Sequence, residues 1–204
     1  MFTEMAKRKY TKRKRADQQA QTRQRIVEAA MALHEELGPR ETSISAVAQR
    51  AGVQRLTVYR HFPDEASLLR ACSGHWFELN PPPAPSRWQA LAPEERGEAT
   101  LAALYAYYRQ TQEMLRSVYR DQDRVPQLAG PLQQFQDYLN AMRDDLIKDF
   151  KPAAANRKPL KAVLGHCLRF STWQSLSEEG LSDKRLAALA MKWIQAVMEL
   201  PKLS

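Results

Sequence analysis

The chain has 204 residues, room for one or two cores and no more, and its 44% hydrophobic content is that of a globular protein. Only seven glycines, set against abundant Ala, Leu, Gln, Glu and Arg, favour helices and argue against a sandwich or barrel. The net charge of +8 is unevenly placed, with +7 in residues 1–62 and +1 in residues 63–204. A basic N-terminal third on a nearly neutral body suits a nucleic-acid-binding module joined to a separate domain, because phosphate neutralisation supplies much of such binding. The same charge also suits an arm that lies on an anionic membrane, or a solubilising tail. With no signal peptide and no apolar run of transmembrane length, the expected location is the cytoplasm, with no membrane partner. Cys72 and Cys167 stand far apart without metal-ligand spacing, so each is expected to be a small buried apolar residue and no metal is implied.

Residues 1–21 hold seven Lys and Arg between Lys7 and Arg15 and almost nothing apolar after Tyr10, which predicts a flexible basic arm. From Thr22, a candidate cap, Ile26, Ala30, Leu33 and Leu37 recur at helical spacing until Gly38-Pro39 stops the helix. Ser43 then fits the N-cap of a short helix whose Ile44, Val47, Ala48 and Ala51 share a face, and Gly52 fits the left-handed position that ends it. A second short helix over 55–61 turns Val58 inward with Phe62 behind it, leaving Arg55, Thr57, Tyr59, Arg60 and His61 outward. Two short helices joined by a tight glycine turn are a helix-turn-helix, and a polar, basic second helix is a recognition helix.

Pro63 and Asp64 open a further helix with Leu68, Leu69, Cys72 and Trp76 as its stripe, and Pro81, Pro82, Pro83 and Pro85 then form a stiff connector. The expected layout is an arm at 1–21, a DNA-binding domain at 22–68 and a helical regulatory and dimerisation domain at 69–204. In the last of these, Leu101, Leu104, Tyr105, Tyr108, Leu115, Val118 and Tyr119 mark a long helix over 94–122. Phe135, Leu139, Met142, Leu146 and Phe150 mark another. Residues 157–178 are apolar on more than one side and read as one helix needing two burial surfaces. A last helix over 183–200 carries Leu186, Leu189, Ala190, Trp193, Ile194 and Val197. The predicted fold class is all-α.

The run Ser43-Ile44-Ser45-Ala46-Val47-Ala48-Gln49-Arg50-Ala51-Gly52-Val53, followed by Thr57-Val58-Tyr59-Arg60-His61-Phe62 and Leu68-Leu69, closely resembles the DNA-binding domain of TetR-family transcriptional regulators. The resemblance covers residues 22 to about 70 and implies a helix-turn-helix domain followed by a ligand-binding, dimerising helical bundle. It implies that Arg55, Leu56 and Thr57 approach base edges, that Tyr59, His61, Thr42, Ser43 and Ser45 hold phosphates, and that Arg60 reaches either. An Arg can pair bidentately with guanine, a Thr or Leu can pack a thymine methyl, and hydroxyls suit phosphate oxygens. Lys12, Arg13, Lys14 and Arg15 would add minor-groove or phosphate contacts. Three positions depart from the family pattern: Gln54 replaces a common capping Ser, Glu65 replaces a common phosphate-binding Lys, and the basic arm is longer.

The family's effector cavity would draw on Tyr105, Tyr108, Met142, His166 and Trp173, each a polar or deformable group on an apolar face. The dimer interface would use Leu164, Leu168, Leu186, Leu189, Trp193 and Val197. The implied protein is a homodimer on a palindromic double-stranded operator, released by a small-molecule effector, with no cofactor. Catalysis finds little support, since His34, His61, His75 and His166 fit no zinc spacing and no nucleophile elbow or phosphate loop occurs. Other readings are a nonspecific nucleic-acid or membrane-surface protein using its basic arm, and an activator or a regulator answering to a protein partner.

Overall fold

The structure, a computed structural model, describes residues 2–199, with side chains described from 13 onward. Among the described residues it has ten α-helices and no strand, which is the predicted all-α class. The chain divides into two compact units, Met1–Leu79 with Arg116–Ala129, and Asn80–Leu115 with Gly130–Ser204.

In the first unit, α1 (Phe2–Glu36) packs on α2 (Ile44–Ala51), α3 (Arg55–His61) and α4 (Glu65–Leu79). The small core is made by Ile26, Ala30 and Leu33 of α1, Val47 and Ala48 of α2, Val58 and Phe62 at α3, and Leu68 and Cys72 of α4. Ser43 caps α2 by accepting the Ala46 amide at 3.2 Å, and Gly52 ends it at φ +64°, a left-handed conformation that glycine adopts without strain. Asp64 caps α4, accepting the Ser67 amide at 2.6 Å.

Three features of this unit correct the sequence-based expectations. Helix α1 begins at Phe2 and not at Thr22, whose hydroxyl donates to the Gln18 carbonyl one turn back and therefore caps nothing. Lys, Arg, Gln and Ala are good helix formers, so residues 2–21 extend the helix without an apolar stripe. Leu37, read as the end of that stripe, is exposed because the helix stops one residue before it. Helix α4 groups with the DNA-binding helices and not with the regulatory domain, since Cys72 is buried against α1 with its sulfur 3.4 Å from His34 Nδ1.

Residues 116–129 also belong to the first unit. They begin at the end of α6 (Pro93–Asp121), where Ser117 Oγ donates to the Glu35 carbonyl at 3.3 Å and the Arg120 guanidinium donates to the Leu37 carbonyl at 2.8 Å. The Arg40 amide in turn donates to Asp121 at 3.1 Å. A helix end leaves its last carbonyls without intrahelical partners, and α6 supplies partners here for the end of α1. The turn that follows passes through Gly38 at φ +95°.

The second unit holds α5 (Ser86–Gln89), most of α6, α7 (Ala129–Phe150), α8 (Arg157–Cys167), α9 (Phe170–Ser177) and α10 (Asp183–Met198). The proline connector opens it, and the short α5 beyond the prolines buries Trp88. Residues 157–178 form two helices and not the single one predicted, with a break at Leu168 and Arg169. Three carbonyls at the break find side-chain donors: His166 accepts from Thr172 at 2.6 Å, Cys167 from Tyr105 at 2.8 Å and Leu168 from Tyr108 at 2.6 Å. A break with its backbone groups so satisfied costs little.

Candidate nucleic-acid interface

The helix-turn-helix is α2, the Gly52 turn and α3. Val58 is wholly buried and anchors α3, so its next-door residues are forced outward. Arg55, Arg60 and Tyr59 are exposed, Thr57 and His61 are half-buried, and Leu56 is 76% exposed, an unusual state for leucine in a folded domain. Gln54 precedes α3 without a side-chain capping bond, so the helix start rests on backbone bonds from Thr57 and Val58 to the Gln54 carbonyl. The candidate phosphate contacts lie before and on α2. Ser43 and Ser45 are exposed, while the Thr42 hydroxyl is spent on the Gly38 carbonyl at 2.8 Å. Ser43 Oγ accepts the Ala46 amide as the α2 cap and keeps its own proton as a donor.

Arg13, Lys14 and Arg15 are exposed on α1, and the Lys12 side chain lies outside the described residues. The α1 residues Gln18, Gln19, Thr22 and Arg25, none of which sequence reasoning assigned to DNA binding, form one wall of a cleft of about 670 Å³. Gly52, Val53, Gln54, Thr57, Arg60 and His61 form the other. Extending the helical period backward from Ile26 would have put Gln18, Thr22 and Arg25 on one face. Burial, with the nearby Arg60 and Arg23 cations adding to it, pushes the His61 pKa down from its ordinary value. Arg23 itself lies over the Phe62 ring at 4.8 Å, tying α1 to the end of α3.

Four of the five residues expected to line an effector cavity are packed core in this structure. Tyr105, Tyr108 and Trp173 are fully buried and Met142 nearly so. Both phenols are occupied by the α8–α9 break, and Trp173 Nε1 donates to Asp183 at 3.0 Å. Tyr108 meets Phe170 at 5.4 Å and Trp173 at 5.9 Å between ring centroids, distances of direct ring packing. His166 is exposed on the surface. A cleft of about 710 Å³ in the same unit, with Ala99, Ala102 and Ala106 along its floor, is lined by none of the five.

Of the six residues assigned to a dimer interface, Leu164, Leu168 and Leu186 are at most 1% exposed within the single chain and are therefore its own core. Leu189 and Val197 are half-buried and Trp193 is 36% exposed; at four-residue spacing they share one outer face of α10.

A helix-turn-helix with an outward basic second helix, followed by a separate helical unit, defines a DNA-binding regulatory protein. Residues 26–72 match the family model for bacterial regulatory proteins of the tetR family. The fold agrees with that of solved TetR-type proteins. A TetR-like transcriptional regulator from Rhodococcus sp. RHA1 is 18% identical with a TM-score of 0.60, over 87% of this chain and 93% of that one. A protein of Mesorhizobium loti assigned to the TetR-family regulators is 19% identical with a TM-score of 0.60, over 88% and 96%. The multidrug binding protein EbrR, solved with imidazole, is 22% identical with a TM-score of 0.57, over 88% and 90%. Comparison with curated protein sequences gives no match. Residues 26–72 thus resemble the DNA-binding domain of the tetR family, and the fold of the chain is that of the solved TetR-type proteins. Among the described residues no helix is long and apolar enough to cross a membrane.

Proposed function

We propose that the protein is a homodimeric repressor that binds a palindromic operator and is released from it by a small organic effector. The observation that carries the DNA-reading part is the outward set on α3. Arg55, exposed at the helix start, and Leu56, exposed at 76%, have no role in the fold that would explain their placement. They have one in the major groove, where Arg pairs with guanine and Leu packs a thymine methyl, with Thr57 beside them. Tyr59, Arg60, His61 and Ser45 serve the phosphates, and so fix the register in which bases are read. Thr42 acts mainly by holding the turn before α2, since its hydroxyl already donates to the backbone, whereas Ser43 accepts as the α2 cap and keeps its own proton to donate to a phosphate.

The face formed by Leu189, Trp193 and Val197 supports dimerisation, because an apolar stripe at that spacing on a terminal helix is stable in water only when covered. A two-fold pair of such chains presents two recognition helices to half-sites about one duplex turn, or a multiple of it, apart. Effector release requires that the ligand bind one conformation of the dimer better than the other. The second unit offers a place for that difference in the α8–α9 break, where Tyr105 and Tyr108 would exchange backbone partners for ligand. EbrR, of similar fold, is a multidrug binding protein, and this supports assigning ligand binding to the helical unit.

The test is Arg55→Ala. It should weaken binding to a cognate duplex by about 1–3 kcal/mol and relax base preference at one position per half-site. Equal loss on cognate and random duplexes, measured by fluorescence anisotropy, contradicts a base-reading role for Arg55.

A further inference from the structure

The cleft between α1 and α3 is unusual in what lines it. Gln18, Thr22 and Arg25 from α1 face Thr57, Arg60 and His61 from α3, and no carboxylate takes part in the lining. Among the described residues neither Arg25 nor Arg60 forms an ion pair, although several exposed arginines elsewhere do. Like charges gathered without an acid repel one another. At about 670 Å³ the cleft has room for far more than a water, whose share of liquid volume is about 30 Å³. Amide and guanidinium donors of this kind bind phosphate oxygens.

We infer that this cleft seats the phosphodiester backbone of one DNA strand, with α1 acting as a second, rigid DNA-contacting wall beside the recognition helix. The inference rests on the operator-binding reading proposed above. Its occupant is set by position as well as charge. The backbone of a duplex borders the groove that α3 would enter, and the cleft borders α3 on its α1 side. Arg15 continues the same face of α1 three residues before Gln18, so the wall from Arg15 to Arg25 extends about 15 Å at 1.5 Å per residue. That length follows more than one phosphate, each strand carrying one charge per 3.4 Å of helix axis. Because the wall is helical, each of its contacts is tied to a particular phosphate. A floppy cationic tail would instead spread its charge over many.

The experiment uses the full-length chain, a duplex selected by the wild-type protein from a random library, and a scrambled duplex of the same length. Binding is measured across a salt series for Arg25→Ala, Arg25→Lys and Gln18→Ala. Arg25→Ala should weaken binding to both duplexes by a similar factor and lower the salt slope by about one. Arg25→Lys should keep the slope, and Gln18→Ala should weaken binding without changing it. A scan of single neutral methylphosphonates through the selected duplex should find one phosphate per half-site at which Arg25→Ala no longer costs affinity. Arg25 is exposed, so the variants should retain wild-type helicity and melting temperature. Unchanged affinity and slope for Arg25→Ala overturns the inference, as does a changed base preference with an unchanged slope. Either result leaves the operator reading intact so long as the wild-type chain prefers the selected duplex; a wild type without that preference fails the operator reading itself.

Discussion

His34 illustrates how a single side chain sets a condition on the fold. It is 9% exposed, its Nδ1 lies 3.4 Å from the Cys72 sulfur, and burial pushes its pKa down to about 4 even though Asp121 pulls the other way. Cys72, its thiol pushed up to about 12 by the same burial, stays neutral and inert, as its place among apolar residues suggested. A histidine whose folded pKa lies below its unfolded value binds fewer protons in the native state. Stability is therefore full above about pH 6.5 and falls as pH drops toward 4, by on the order of 3 kcal/mol at the bottom of that window. Asp121 is lowered by its hydrogen bond from Arg120, so its contribution is lost only below the ordinary carboxylate range, in a separate window. Urea unfolding at pH 7, 5.5 and 4.5 checks this, with His34→Gln expected to flatten the decline. A variant that loses stability with acid as steeply as the wild type contradicts the assignment.

At the scale of elements, the parts legible in the sequence were those announced by local chemistry. The Ser43 cap, the Gly52 terminator and the periodicity of Ile44, Val47, Ala48 and Ala51 placed α2, and Pro63-Asp64 placed the start of α4. The N-terminal half of α1 was not legible because periodicity reads buried faces, and residues 13–25 turn mainly polar side chains to solvent and to the cleft. The cleft was missed with it. The α8–α9 break was illegible for another reason: neither glycine nor proline marks it, and two of the hydroxyls that satisfy its carbonyls come from Tyr105 and Tyr108, 62 and 60 residues away in the chain. The same fact explains why these tyrosines, chosen as polar groups on an apolar face, are fully satisfied core. The α10 stripe divides similarly, because a period cannot say which apolar residues meet their own chain and which a second one. Trp193→Asp, on the outer face, should shift the protein from dimer to monomer in sedimentation velocity while its far-UV helicity stays near wild type. An unchanged dimer places the interface on another surface.

At the scale of the whole molecule, the chain divides into two units. The proposed DNA-binding residues belong to the unit of residues 1–79 and 116–129, and the other unit carries the aromatic core and the α10 face. The last turns of α6 belong to the first unit, where Ser117, Arg120 and Asp121 hold the turn that leads from α1 to the Ser43 cap. The remainder of that helix belongs to the second unit. The basic surplus of the N-terminal third falls on the same unit, and this predicts a steep salt dependence of binding in which the first 15 residues take part. Removing residues 1–15 should flatten that dependence and leave the preferred sequence unchanged; a shifted consensus would mean that this segment reads bases.

The central claim, that this chain reads DNA sequence as a symmetric dimer through α3, is tested most directly by selecting bound duplexes from a random library at near-physiological salt. The account predicts a palindromic consensus with half-sites about one helical turn, or a multiple of it, apart. Tight binding by folded dimer with no enrichment of any sequence would contradict it and leave only a nonspecific phosphate-binding role.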